Sequence, residues 1–150
     1  MDKPLVEVET DIHADAKTVW DVLTRRQSAM FMGAEVETDW REGSPISFTG
    51  EFNGKPFKDH GEIRAVEPGK RLAFTHYSPT SGKPDVPESY NLVDIGLEPK
   101  GDDRTLARLT QTPQGGDRPD DETVRKFEDN WRAMLGSLQK AAEQDAFAHG

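Results

Sequence analysis

The side chains best suited to move a proton near neutral pH are the four histidines, His13, His60, His76 and His149. Of these, His76 has the most informative surroundings. It follows Leu72 and Phe74 at a spacing of two, so in a strand all three point to one apolar face. An imidazole on such a face needs a hydrogen-bonding partner, and it can serve as a wall group, a ligand contact or a general acid or base. Asp59 shares a face with Phe57 and Ile63 if its strand is regular, which sets it beside His76 as the candidate general base. A bulge at His60-Gly61 would turn it away. His76 and Asp59 are therefore the catalytic candidates, while His13 and His60 read as solvated surface residues.

Other chemistry is excluded by what the chain lacks. No two histidines form an HxH or HxxxH pair and there is no cysteine, so neither a metal centre nor a disulfide is expected. Ser78 and Ser81 have no Gly-x-Ser-x-Gly context. Gly54-Lys55, Gly69-Lys70 and Gly82-Lys83 lack the spacing and the Ser or Thr of a phosphate loop. No cofactor is expected. Nucleic acid is excluded as a partner by 19 basic against 28 acidic residues, a net charge of -9 with no basic stripe.

The elements that must position these residues belong to a chain of 150 residues, the size of one domain. Only 33% of the residues are apolar and 31% are charged, which predicts a lean core under an ionic surface. No window reaches the roughly 18 to 20 apolar residues of a membrane span, and MDKPLVEVET has no apolar signal core. A soluble, cytoplasmic protein without membrane insertion is the expectation.

Val6, Val8 and Ile12 alternate with Glu7, Glu9 and Asp11, the signature of a half-buried strand. Asp15 can cap a following helix whose Ala16, Val19, Trp20 and Leu23 form one apolar stripe. The run Met30-Phe31-Met32 suits a second short helical turn. Residues 35–112 then read as five or six short antiparallel strands. Val36, Thr38 and Trp40 share one face of the first, ended by Glu42-Gly43, and Ile46, Phe48, Gly50 and Phe52 share one face of the second. Asn53-Gly54 supplies the positive φ angles of a two-residue hairpin turn, and the partner strand runs from Phe57 to Val66. After the strand of His76 comes a Pro-rich loop, then Asn91, Val93, Ile95 and Leu97 on one face, and last Ala107, Leu109 and Gln111. A helix from Asp121 to Gln144, with Val124, Phe127, Trp131, Met134, Leu135 and Leu138 on one face, is about 36 Å long and can cross a sheet. Residues 145–150 read as a frayed tail.

This order predicts an α+β helix-grip fold, a bent antiparallel sheet of about six or seven strands around a long C-terminal helix. Val19-Trp20-Asp21-Val22-Leu23-Thr24, the stretch from Gly61 to Thr75, and Asn130-Trp131-Arg132-Ala133-Met134-Leu135 resemble the SRPBCC, or START-like, superfamily, in its branch of activators of the heat shock protein ATPase. The resemblance spans residues 5–144. It implies a deep apolar cavity between sheet and last helix, used in relatives for lipids, polyketides and plant hormones. Some relatives are cyclases or hydrolases, and the eponymous ones act as chaperone partners. The expected function is accordingly a module binding a small apolar or amphipathic molecule. The alternatives are a polyketide cyclase/dehydratase- or hydrolase-like enzyme in the same cavity, or a chaperone activator-like protein with a protein partner. The candidate ligand-binding residues are Trp40, Phe48, Phe74, His76, Asn91, Gln111, Phe127, Trp131 and Met134 facing the cavity, with Tyr90 at its mouth.

Overall fold

The computed structural model describes residues 4–25, 35–52, 54–79, 82–115 and 119–149. Met30-Phe31-Met32, Asn53 and the side chain of Phe52 lie outside the described residues. Seven strands form one antiparallel sheet: β1 (Val6–Ile12), β2 (Glu35–Glu37), β3 (Pro45–Phe52), β4 (Lys55–Glu67), β5 (Arg71–His76), β6 (Asn91–Pro99) and β7 (Thr105–Pro113). Their order across the sheet is β1-β7-β6-β5-β4-β3-β2. β2 to β7 are a meander, and β1 closes onto β7 with Val6 opposite Gln111 and Ile12 opposite Thr105. Helix α1 (Ala16–Arg25) follows β1, and helix α2 (Asp121–His149) packs on the face that the apolar positions share. The helix-grip arrangement is thus the fold.

Local chemistry sets the boundaries. The Asp15 carboxylate accepts the Thr18 amide at 2.9 Å, and Asp120 accepts the Thr123 amide at 2.8 Å. Each satisfies an N–H that the first helical turn leaves without a partner, and those bonds hold both carboxyls below the usual aspartate range. Gly54 has φ +77°, and Phe52 pairs with Lys55 across the expected two-residue turn. β2 is shorter than its alternation predicts. Trp40 has φ +58°, a left-handed conformation that ends extended pairing and costs a bulky residue energy. Its ring nonetheless packs against the core.

α2 runs to His149 instead of stopping near Gln144. Its last turns are held because Ala141 and Ala142 are buried and Ala146 packs beside them, while Phe147 is 91% exposed. Gln139 reaches the other way, its amide donating to the Asp11 carbonyl at 3.1 Å and Glu143 accepting the His13 amide at 3.0 Å. The C-terminal half of α2 is therefore fastened along β1. Among the described residues no helix is long and apolar enough to cross a membrane.

Candidate binding site

Side chains of the sheet, α1 and α2 pack into one core. Fully buried Ile12, Val19, Leu23, Ile95, Leu109 and Leu138 fill the end near α1. Trp40, Phe57, Phe127, Trp131 and Met134 are partly buried against the core, as is Trp20 of α1, while Phe48, Phe74 and Gln111 are buried. The strand register brings the candidate polar groups together at the end of the sheet away from α1. His76 on β5 stands opposite Asn91 on β6, and Asn91 opposite Pro113 on β7. Phe48 on β3 stands opposite Asp59 on β4.

Asp59 Oδ2 and His76 Nε2 are 2.9 Å apart. The side chains are 15% and 27% exposed, so the pair sits in the wall without being sealed in it. Phe48 meets the His76 ring edge-on at 5.7 Å and the Phe74 ring at 5.4 Å, so the pair is framed by aromatic carbon. The other carboxylate oxygen, Asp59 Oδ1, is buried with no hydrogen-bond partner. The strand bulge lies between Ile63 and Ala65, beyond Asp59, so β4 keeps the alternation that aims Asp59 at α2. Gly61 makes the contact possible. A Cβ there would lie 1.6 Å from the Thr75 carbonyl oxygen, so only glycine allows β4 and β5 to approach this closely.

The Trp131 indole N–H donates to Gln111 Oε1 at 2.6 Å. Gln111 is 4% exposed and bonds to the helix, not to Asn91, so its carbonyl joins α2 to β7. Phe127 and Met134 flank Trp131 about one turn away on the same helix face.

Tyr90 is not at the mouth of this region. Strand alternation sends it to the opposite face, with His60 and Tyr77. Its hydroxyl donates to Asp85 Oδ1 at 2.6 Å, His60 Nε2 lies 3.0 Å from both Tyr90 Oη and Asp85 Oδ2, and the Tyr77 ring stacks on Tyr90 at 5.2 Å. His60 is accordingly a member of a polar cluster and not a free surface residue. Burial, reinforced by the Asp85 carboxylate, pushes the Tyr90 hydroxyl up to about 12. The bonds from Tyr90 and His60 hold Asp85 below its usual value. Sequence reading missed this cluster. Its one signal was that His60, Tyr77 and Tyr90 share a strand parity opposite to His76. Beside it, on the outer face, is a cleft of about 450 Å³ lined by Gly61, Arg64, Thr75, Asp85, Val86 and Tyr90 among others. Among the described residues no three His, Asp or Glu side chains converge as metal ligands would.

Known proteins share this architecture. The chain is similar to ChR145 from Cytophaga hutchinsonii, a solution structure, at 33% identity and a TM-score of 0.77, with 97% of each chain covered. At 18% identity and a TM-score of 0.66 it is similar to the Aha1 dimer from Colwellia psychrerythraea, covering 92% of this chain and 95% of that one. The Zhui aromatase/cyclase from Streptomyces sp. R1128 has the same fold at 17% identity and a TM-score of 0.70, with 96% of each chain covered. No curated protein matches the sequence. The profile of one family matches residues 13–143, nearly the whole of sheet and helices, and the chain therefore belongs to the Activator of Hsp90 ATPase homolog 1-like protein family.

Proposed function

We propose that this protein is a binding module that holds a small apolar or amphipathic molecule non-covalently between the sheet and the N-terminal half of α2. The observation that carries the reading is the Asp59–His76 pair, set beside Phe48 and Phe74 on the sheet face that α2 covers. Trp40, Phe57, Phe127, Trp131 and Met134 pack, partly buried, against the same core. Large apolar side chains with a few convergent polar groups are what a small-molecule site needs. The aromatase/cyclase of the same fold adds support by analogy. Native mass spectrometry of protein purified from its own host should show a bound molecule released by organic solvent. Protein that emerges empty and fails to bind any apolar fluorescent probe would remove the proposal.

The Asp59–His76 contact favours a second reading, an acid-base enzyme of the cyclase, dehydratase or hydrolase type. A carboxylate that accepts one imidazole N–H fixes the tautomer and leaves the other ring nitrogen to take a substrate proton. His76→Gln separates the two readings. A binding module keeps most of its affinity, whereas an enzyme loses about 100-fold or more in rate while still binding.

A further inference from the structure

The outer face of the sheet offers open space as well as chemistry. Its cleft of about 450 Å³ falls within the about 300 to 1,000 Å³ of small-molecule sites. It is lined by β4, β5 and residues 85–87 of the loop between β5 and β6, with Tyr90 and Gln114. That loop is held in shape before any ligand arrives. Pro84 and Pro87 restrict its backbone, the Tyr77 hydroxyl donates to the Lys83 carbonyl at 2.5 Å, and the Val86 and Ser89 amides donate to the Pro84 and Val86 carbonyls at 3.0 and 2.9 Å. Tyr90 and His60 fix the Asp85 carboxylate.

Three charged side chains line this cleft, each about half exposed: Glu62 and Arg64 of β4, and Asp85 of the loop. His60, Glu62 and Arg64 follow one another at a spacing of two along β4, about 6.6 Å per step. Because Asp85 is held on His60, the order along the cleft is carboxylate, carboxylate, guanidinium. Arg64 is the residue that the bulge between Ile63 and Ala65 leaves out of the β5 pairing, and bulges re-aim side chains in this way. Its contact with Glu62 is a single approach of 3.5 Å between exposed groups, which is worth little. A carboxylate that met the guanidinium through two parallel bonds would replace that contact at a gain.

We propose that this cleft is a second site, independent of the molecule held between the sheet and α2, and that it takes an amino acid with an apolar side chain, bound as the zwitterion. The ammonium donates to Asp85 and Glu62, since a carboxylate can accept more bonds than Tyr90 and His60 supply to Asp85. The ligand carboxylate meets Arg64, and the side chain lies along Val86, Pro87 and Tyr90. Both charges are needed. An amine without the carboxylate leaves Arg64 unused, and an acid without the ammonium brings a third carboxylate beside two.

The test is calorimetric titration at neutral pH with L-phenylalanine, phenethylamine and 3-phenylpropionate, which share one carbon body and carry both charges, the ammonium alone and the carboxylate alone. Phenylalanine should bind tighter than either of the others by about tenfold or more. In Arg64→Gln, a change of an exposed side chain, phenylalanine should come within about threefold of phenethylamine. Asp85→Asn, with folding checked by circular dichroism, should weaken phenylalanine and phenethylamine by about fivefold or more. If that variant does not fold, Arg64→Gln decides. A singly charged compound binding the wild type as tightly as phenylalanine overturns the zwitterion, and a phenylalanine affinity unchanged in Arg64→Gln overturns the outer cleft as its place. Failure of all three to bind removes this site and leaves the molecule between the sheet and α2 untouched.

Discussion

Asp59 and His76 meet because β4 and β5 come together where Gly61 has no side chain. Gly61→Ala forces a Cβ into the Thr75 carbonyl and should cost about 1 to 3 kcal/mol or more, read as a lowered denaturant midpoint. Loss of probe binding should accompany it, and an unaltered midpoint would mean that the strands part easily. Tyr90 gives a pH prediction on the other face. Its hydroxyl is raised from 10.0 to about 12 in the folded protein, so the neutral form is the stabilised one. That contribution is complete below pH 10.0 and is lost as pH rises through about 12. Asp85 has the opposite sign, contributing above 3.8 and losing its contribution as pH falls through its depressed folded value. Tyrosinate absorbance in a Tyr77→Phe background should show Tyr90 titrating near 12, and Asp85→Asn should move that midpoint down. A Tyr90 that titrates at its ordinary value would contradict the cluster. At this scale the pairing of His76 with Asp59 was legible, because period-two alternation assigns faces whatever the rest of the fold does. The bonding of His60 and Tyr90 was not, because it depends on a Pro-rich loop that returns over the outer face, and loops carry no periodicity.

The long helix does two jobs that its sequence pattern blends together. Its C-terminal half holds the fold through buried Leu135, Leu138 and Ala142, and its N-terminal half packs Phe127, Trp131 and Met134, partly buried, against the core. Trp131→Phe keeps most of the ring but leaves the buried Gln111 carbonyl without its donor, which should cost about 1 to 3 kcal/mol in a denaturant melt. A neutral outcome would mean that water replaces the indole N–H. Gly136 is exposed in mid-helix, and a Cβ there meets nothing within 4 Å. Gly136→Ala should therefore stabilise by about 1 kcal/mol, the helix-propensity difference alone, and raise the melting temperature. The existence, start and buried face of α2 were legible from its apolar stripe. Its end was not, since Ala141, Ala142 and Ala146 are weak hydrophobic signals that matter only once β1 and α1 stand beside them. β2 was overextended for the same kind of reason, as nothing in the local pattern marks Trp40 for a left-handed backbone.

For the molecule as a whole, the sheet has two faces with different contents. The one against α2 carries Phe48 and Phe74 beside Asp59 and His76, and the outer one carries the Tyr90 cluster with its cleft of about 450 Å³. The central claim is that a small molecule belongs to the first. The most direct measurement is the set of intermolecular nuclear Overhauser effects between bound 2-naphthol and isotope-labelled protein. Effects to the ring protons of Phe48, Phe74, His76 and Trp131 are predicted. Effects confined to Thr75, Val86 and Tyr90 would place the ligand in the outer cleft and contradict the account.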